Sequence, residues 1–172
     1  MATGPRYAVR FRRRRKGKTN YRKRVMSLKS NSLRLVIRSS NNYIQAQFVK
    51  YEATCDKTLL TINSVILSKK YGWKHSCKNT PAAYLTGLLA GKLAVKAKLN
   101  AAIADVGLKT VTKGSAIFAV VKGAADAGLK INFNPKILPS EDRISGKHIS
   151  AHLKNKITED FLAIKAKIQQ NG

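Results

Sequence analysis

The sequence predicts an α/β protein in which a mixed sheet carries helices on its faces and a strongly basic arm precedes the sheet. Two patterns and one total lead there. Three runs rich in branched residues follow one another between positions 33 and 67, separated by short polar breaks. From position 79 the pattern alternates helix, strand, helix, strand, the order that places helices against a sheet. A chain of 172 residues, 44% of them apolar, is long enough for one real core with an appendage.

Residues 1–32 form the basic arm. Thr19 to Tyr21 offers cap chemistry for a short helix through YRKRVMSLK to Lys29, anchored by Val25 and Leu28. LRLVIRS (33–39), YIQAQFVKY (43–51) and TLLTINSVIL (58–67) are the three strands. SNN (40–42) supplies a turn between the first two, and short loops imply an antiparallel meander. The end of the third run has the composition to turn helical.

In NTPAAYLTGLLAGKLAVKAKL, Thr80 is the expected N-cap and Pro81 the first helical residue. Tyr84, Leu85, Leu88, Leu89 and Val95 make the apolar stripe. Gly87 and Gly91 thin one side for close packing beneath the sheet. AAIADVG (101–107) reads as a short buried strand, and Ser115 caps a second helix that runs to Ala127 and closes at Gly128. LKINF (129–133) is the fifth strand, and NPKILPSEDRISGK is a polar loop. A last amphipathic helix runs from Lys147 to Gln169, with Ile149, Leu153, Ile157, Phe161, Ile164 and Ile168 at helical spacing. The chain therefore divides into an arm (1–32), a core (33–146) and a C-terminal helix (147–172).

Charge narrows the function. There are 34 Lys and Arg against 8 Asp and Glu, a net +26, and no acid occurs in the first 51 residues. Ten of the fifteen residues from Arg10 to Arg24 are Arg or Lys. Such a segment repels itself unless a polyanion neutralises it, and nucleic acid is the first candidate. Four consecutive arginines, Arg12 to Arg15, suit an extended arm threading between phosphates. An anionic membrane surface is the lesser alternative. MATGPRYAVR lacks the apolar segment of a signal peptide, and no apolar run approaches a bilayer span, so an intracellular protein with reduced Cys55 and Cys77 is expected.

Chemical motifs are weak by comparison. GLLAGK (87–92) is too short between its glycines for a phosphate loop and lies inside a helix. KGS (113–115) is better placed, since Lys113 before a helix start suits a phosphate, although plain capping is the simpler reading. His148 and His152 have metal-compatible spacing but lack a third ligand, which favours a surface or RNA-facing role. Asp105 with Asp126 or Asp56 imitates a two-metal nuclease, yet a strand-end Asp more often closes a turn. No enzyme activity, cofactor or metal is expected.

Several segments belong together. MATGPRY followed by RRRRKGKTNY, the turn SNNYIQAQ, YGW (71–73), NTPAAYLTGLLAGKLA (79–94), IADVGL (103–108), KGSAIFAVVKGAADAGL (113–129) and LPSEDRISGKHI (138–149) resemble the archaeal and eukaryotic type of large-subunit ribosomal protein eighteen. The resemblance implies a three-layer sandwich around a roughly five-stranded mixed sheet, related in shape to ribonuclease H without its active site. It also implies a cytoplasmic protein of the large ribosomal subunit. Such a protein binds 5S rRNA and helps seat it against large-subunit rRNA and neighbouring proteins at the central protuberance. The RNA contacts it implies are Arg6, Arg10, Arg12, Arg13, Arg14, Arg15, Lys16 and Lys18 of the arm, then Tyr21, Arg22, Lys23 and Arg24 of the short helix. Arg38, Asn41 and Asn42 follow at the first strand and turn, and the loop from Arg143 through Lys147 to His148 adds a further contact. Lys113 joins them from its place before a helix. At Lys147 the family usually has an acid.

Overall fold

The computed structural model describes residues 4–171, so the first residues of the arm and Gly172 lie outside it. The chain is α/β. Helix α1 (Arg12–Arg15) and α2 (Tyr21–Lys29) precede strands β1 (Arg34–Ser39), β2 (Ile44–Tyr51) and β3 (Asp56–Asn63). Then come α3 (Val65–Tyr71), α4 (Thr80–Lys96), β4 (Ile103–Asp105) and α5 (Ala116–Asp126). A 3-10 turn (Pro135–Ile137), α6 (Glu141–Ser145), α7 (Lys147–Leu153) and α8 (Ile157–Asn171) complete the chain.

Among the described residues the sheet has four strands in the order β3-β2-β1-β4, with β1 antiparallel to β2 and parallel to β4. The meander is as the branched runs predict, and Ile44, Ala46 and Phe48 alternate into the core. The third run stops being a strand at Asn63, and Val65 opens α3 instead. Two expectations fail at the far edge. β4 has only three residues, and Ile103 is exposed because this is an edge strand, not a buried one. The expected fifth strand, LKINF, reduces to one bridge between Ala101 and Lys130. Lys130 bonds to Ala102 and Asn100, after which the chain turns toward Pro135 and leaves the ladder.

α4 and α5 cover the inner face of the sheet, and α6 and α8 pack against α4. Most of α4 is therefore buried all round, which its apolar sequence permits. Its cap is Asn79, whose side chain accepts from Ala82 N–H at 2.9 Å, so Thr80 and Pro81 each sit one position later than expected. Gly87 and Gly91 face α5, not the sheet. A Cβ on Gly87 would collide with the Val120 backbone, and one on Gly123 of α5 would collide with the Tyr84 backbone. The two helices cross at backbone contact. Ser115 occupies the cap position of α5, but its hydroxyl makes no capping bond.

The segment 134–146 is not a loop, since Glu141 and Asp142 begin α6 where acids favour a helix start. The single C-terminal helix is two. Lys154 adopts φ 50° and turns the chain, leaving Leu153 exposed but laying Ile157, Phe161, Ile164 and Ile168 into the core. Lys92 of α4 reaches the Ile168 carbonyl at 3.0 Å, a cation at the C-terminal turn of α8. Trp73 is buried and donates to the Ser76 carbonyl, so the YGW segment is a core anchor following α3.

Candidate nucleic-acid interface

Strand alternation sets Arg34, Val36 and Arg38 of β1 on the outer face, opposite Leu35 and Ile37 in the core. Together with Gln47, Val49, Thr58 and Ala104 they floor a groove of about 440 Å³. Lys23, Arg24 and Ser27 of α2 flank it, as does the turn Asp105–Leu108, and Arg13, Lys18, Thr19 and Asn20 complete its wall. The arm is thus folded against the sheet.

Its local structure explains how. Arg12 to Arg15 form one helical turn, not an extended strand, with every side chain exposed. Gly17 at φ 60° reverses the chain, Arg13 Nε donates to Thr19 Oγ1 at 2.7 Å, and Phe11 packs on Tyr21 with ring centres 5.0 Å apart. Asn20 then caps α2 by accepting from Lys23 N–H. α2 buries no residue fully; of its two expected apolar anchors Leu28 is half-buried and Val25 is exposed. An ion pair ties it down: Arg24 Nη2 lies 2.9 Å from Asp56 Oδ2.

Beneath that pair sits Arg34, only 3% exposed, between two carboxylates. Its Nη2 is 2.8 Å from Asp56 Oδ2 and its Nη1 3.6 Å from Asp105 Oδ2. The first contact is an ion pair by proximity only. The N–H bonds are not aimed at the carboxylate, and Arg34 Nε and Nη2 have no hydrogen-bond acceptor. Burial pushes the Asp56 carboxyl up, but the close guanidiniums of Arg34 and Arg24 outweigh it and hold its pKa below the ordinary value. On the other side, Asp105 Oδ1 accepts from Gly107 N–H at 2.8 Å and lies 3.5 Å from Arg38 Nη2. Two of the three acids of the imagined nuclease site, Asp56 and Asp105, are engaged by arginines. Asp126, the third, accepts from Tyr84 O–H at 2.8 Å; burial first, and then this bond, pushes the Tyr84 hydroxyl pKa up.

The sequence-predicted residues therefore fall on separate surfaces. Arg13, Lys18, Lys23, Arg24 and Arg38 meet at the groove. Arg6, Arg10, Arg12, Arg14, Arg15, Lys16 and Arg22 are exposed on the arm, and Tyr21 is half-buried under Phe11. Asn41 and Asn42 are exposed at the β1–β2 turn, which Ser40 closes by bonding Tyr43. Arg143, Lys147 and His148 are exposed on α6 and α7, outside the groove lining, and Lys113 is exposed ahead of α5. Lys147 Nζ lies 2.7 Å from Asp142 Oδ1, and that bond raises its pKa. Between α6 and α7, Gly146 at φ 81° lets the chain approach Pro81 and Ile157, so part of the SGKHI segment is a packing device.

Arg34, Asp56 and Asp105 are groove residues that sequence reasoning did not assign to binding. Alternation along β1 already put Arg34 beside Arg38, but nothing local signals that its partners come from β3 and β4. Cys55 and Cys77 are free, and burial pushes the Cys77 thiol pKa up.

A cationic, half-open groove beside an exposed arginine arm defines a protein built to lie against a polyanion. The sequence matches the family described as ribosomal large subunit proteins 60S L5 and 50S L18 over residues 5–103 and 95–134. It is 50% identical over 152 residues to a large ribosomal subunit protein uL18 of Methanoregula boonei, covering 88% of this chain and 87% of that one. It is 49% identical over 152 residues to a large ribosomal subunit protein uL18 of Sulfurisphaera tokodaii, covering 88% and 77%. The chain belongs to this family of large-subunit ribosomal proteins.

Proposed function

We propose that this protein is a cytoplasmic structural constituent of the large ribosomal subunit that binds 5S rRNA and helps attach it to the large-subunit rRNA at the central protuberance, beside neighbouring ribosomal proteins. The observation that carries the reading is the arm. Most of its cations stand exposed without an acid among the first 51 residues, and Arg13, Lys18, Lys23 and Arg24 line a groove whose two carboxylates already engage arginines. The contacts proposed are Arg6, Arg10, Arg12 to Lys16, Lys18 and Tyr21 to Arg24, with Arg38, Asn41 and Asn42 beside them. Lys113, Arg143, Lys147 and His148 form a second surface for large-subunit rRNA or a neighbouring protein. Lys147 is the weakest of these, because Asp142 partly neutralises it.

Strand order and the parallel β1–β4 pair support a ribonuclease H-like arrangement, with Ala101–Lys130 as a vestige of a fifth strand. The role proposed is structural and needs no catalysis or cofactor. Among the described residues no helix is long and apolar enough to cross a membrane.

Competition binding tests the reading. At physiological salt, 5S rRNA is expected to displace labelled 5S rRNA at far lower concentration than tRNA or poly-uridine does. Equal competition would reduce the protein to a general polyanion binder. Incubation with RNA and Mg²⁺ is expected to give no cleavage; turnover abolished by Asp105→Asn would restore the nuclease reading.

A further inference from the structure

Arg38 is held in a way that suits an aromatic face better than a phosphate. Its Nη1 donates to the Ile37 carbonyl at 2.9 Å and the Asp105 carbonyl at 2.8 Å, and its Nη2 is shared with Asp105 Oδ1. The Nη1–Nη2 end of the guanidinium is thereby engaged, and only the Nε–Nη2 edge keeps N–H bonds to spare. One face of the guanidinium is closed as well. A Cβ built on Gly107 would lie 2.9 Å from Cζ, 3.0 Å from Nη1 and 3.2 Å from Nη2. Such near-equal distances place the glycine over the plane, not at its edge. Yet the side chain is 46% exposed and lines the groove, so what remains open is the opposite face together with the Nε edge.

We propose that this open face of Arg38 is a fixed stacking platform for one unpaired RNA base, and that the groove is a single-nucleotide pocket. The proposal rests on the RNA-binding reading above and names what that site takes. A guanidinium plane stacks on any nucleobase, and stacking tolerates sequence because every base has a π face. Immobilising the plane beforehand removes the entropy cost of ordering an arginine at binding. Val36 and Val49 supply apolar floor beside it, and the groove volume admits a nucleotide but not a duplex. Lys18 and Lys23, which have no ion-pair partner among the described residues, stand at the wall to meet the nucleotide's phosphate. Gly107, at φ 65°, is then a positioning residue: it closes the inner face and carries the N–H that orients Asp105.

The test uses full-length protein, 5S rRNA, and a short oligoadenylate carrying one 2-aminopurine, whose fluorescence falls on stacking. Arg38→Lys keeps the charge and loses the plane. It is expected to weaken both RNAs about tenfold with an unchanged salt slope, and to abolish the quenching seen with wild type at saturation. Lys18→Gln with Lys23→Gln is expected to flatten the slope by roughly 0.7 for each phosphate no longer neutralised, while quenching persists. Because Arg38→Lys also frees Asp105, Gly107→Ala provides a second probe. It leaves every charge in place, crowds the guanidinium, and is expected to reduce quenching too. The platform is overturned if Arg38→Lys binds and quenches like wild type while Arg38→Ala flattens the slope, since Arg38 would then act by charge. It is equally overturned if Gly107→Ala, folded, quenches normally. Should 5S rRNA win no preference over tRNA while the oligoadenylate still reports Arg38, the platform stands and the 5S reading alone falls.

Discussion

Arg34 shows what a single buried charge demands of its neighbours. An arginine 3% exposed survives on a sheet because Asp56 and Asp105 flank it, from strands that are far apart in the chain. Asp56 also holds Arg24, so one carboxylate joins the arm helix to the sheet. Asp56→Asn is expected to destabilise the fold at neutral pH, by less than the ~3–5 kcal/mol of a fully buried broken pair, because Asp105 remains. The pH dependence has a definite sign. The Asp56 pKa is lowered in the folded chain, so its contribution is complete above the unfolded value of 3.8 and is lost as pH falls through the folded one. Urea midpoints of wild type and variant should therefore differ at pH 7 and converge as acid protonates Asp56. A constant gap across that range would assign the loss to packing, not charge. The same substitution frees α2, so trypsin should cleave the arm faster in Asp56→Asn than in wild type.

At the level of elements, the α4–α5 crossing sets the tightest tolerance. Gly87 and Gly123 each lie against the other helix's backbone, where a neighbour cannot rotate aside. Even Gly87→Ala, normally a gain for a helix, is expected to cost stability here, on the order of 1–3 kcal/mol from overpacking. A thermal melt at or above wild type would show that the helices separate freely. Gly87 and Gly91 were legible in the sequence as packing residues, but their partner was not, because thinness on one helix face does not say which element fills it. The strands of the meander were equally legible, since Ile44, Ala46 and Phe48 alternate within one run. What misled lay where tertiary contacts decide. Lys154 breaks a helix whose apolar spacing continues across the break, and LKINF has strand composition but only one bridging residue to pair with. The arm shows the same limit. Its charge was plain, and its folding onto the sheet was not, because that fold depends on Asp56, outside the arm itself.

For the whole molecule, the question is how +26 is divided between holding RNA and choosing it. Residues 1–18 carry eight Lys and Arg and no acid, all exposed where described, and they add nothing buried to the core. Deleting them leaves the Asn20 cap and the Arg24–Asp56 pair in place, which a cut inside α2 would not. The shortened protein should melt within a few degrees of the full chain, since relief of like-charge repulsion offsets the absence of the Phe11–Tyr21 packing and the Arg13–Thr19 bond. Its RNA binding should change in kind. If about six of the deleted cations meet phosphates, the slope of log K against log salt flattens by roughly four to five units. The preference for 5S rRNA over tRNA should persist at reduced affinity, because Lys23 on α2 and Arg38 with the Asn41–Asn42 turn on the sheet remain in place. A slope that does not move would place the arm away from the RNA. A flattened slope with no remaining preference would place recognition in the arm and leave the groove a bystander. Comparing the two slopes across a salt series thus tests whether the arm supplies long-range attraction by charge and the sheet supplies selection by shape.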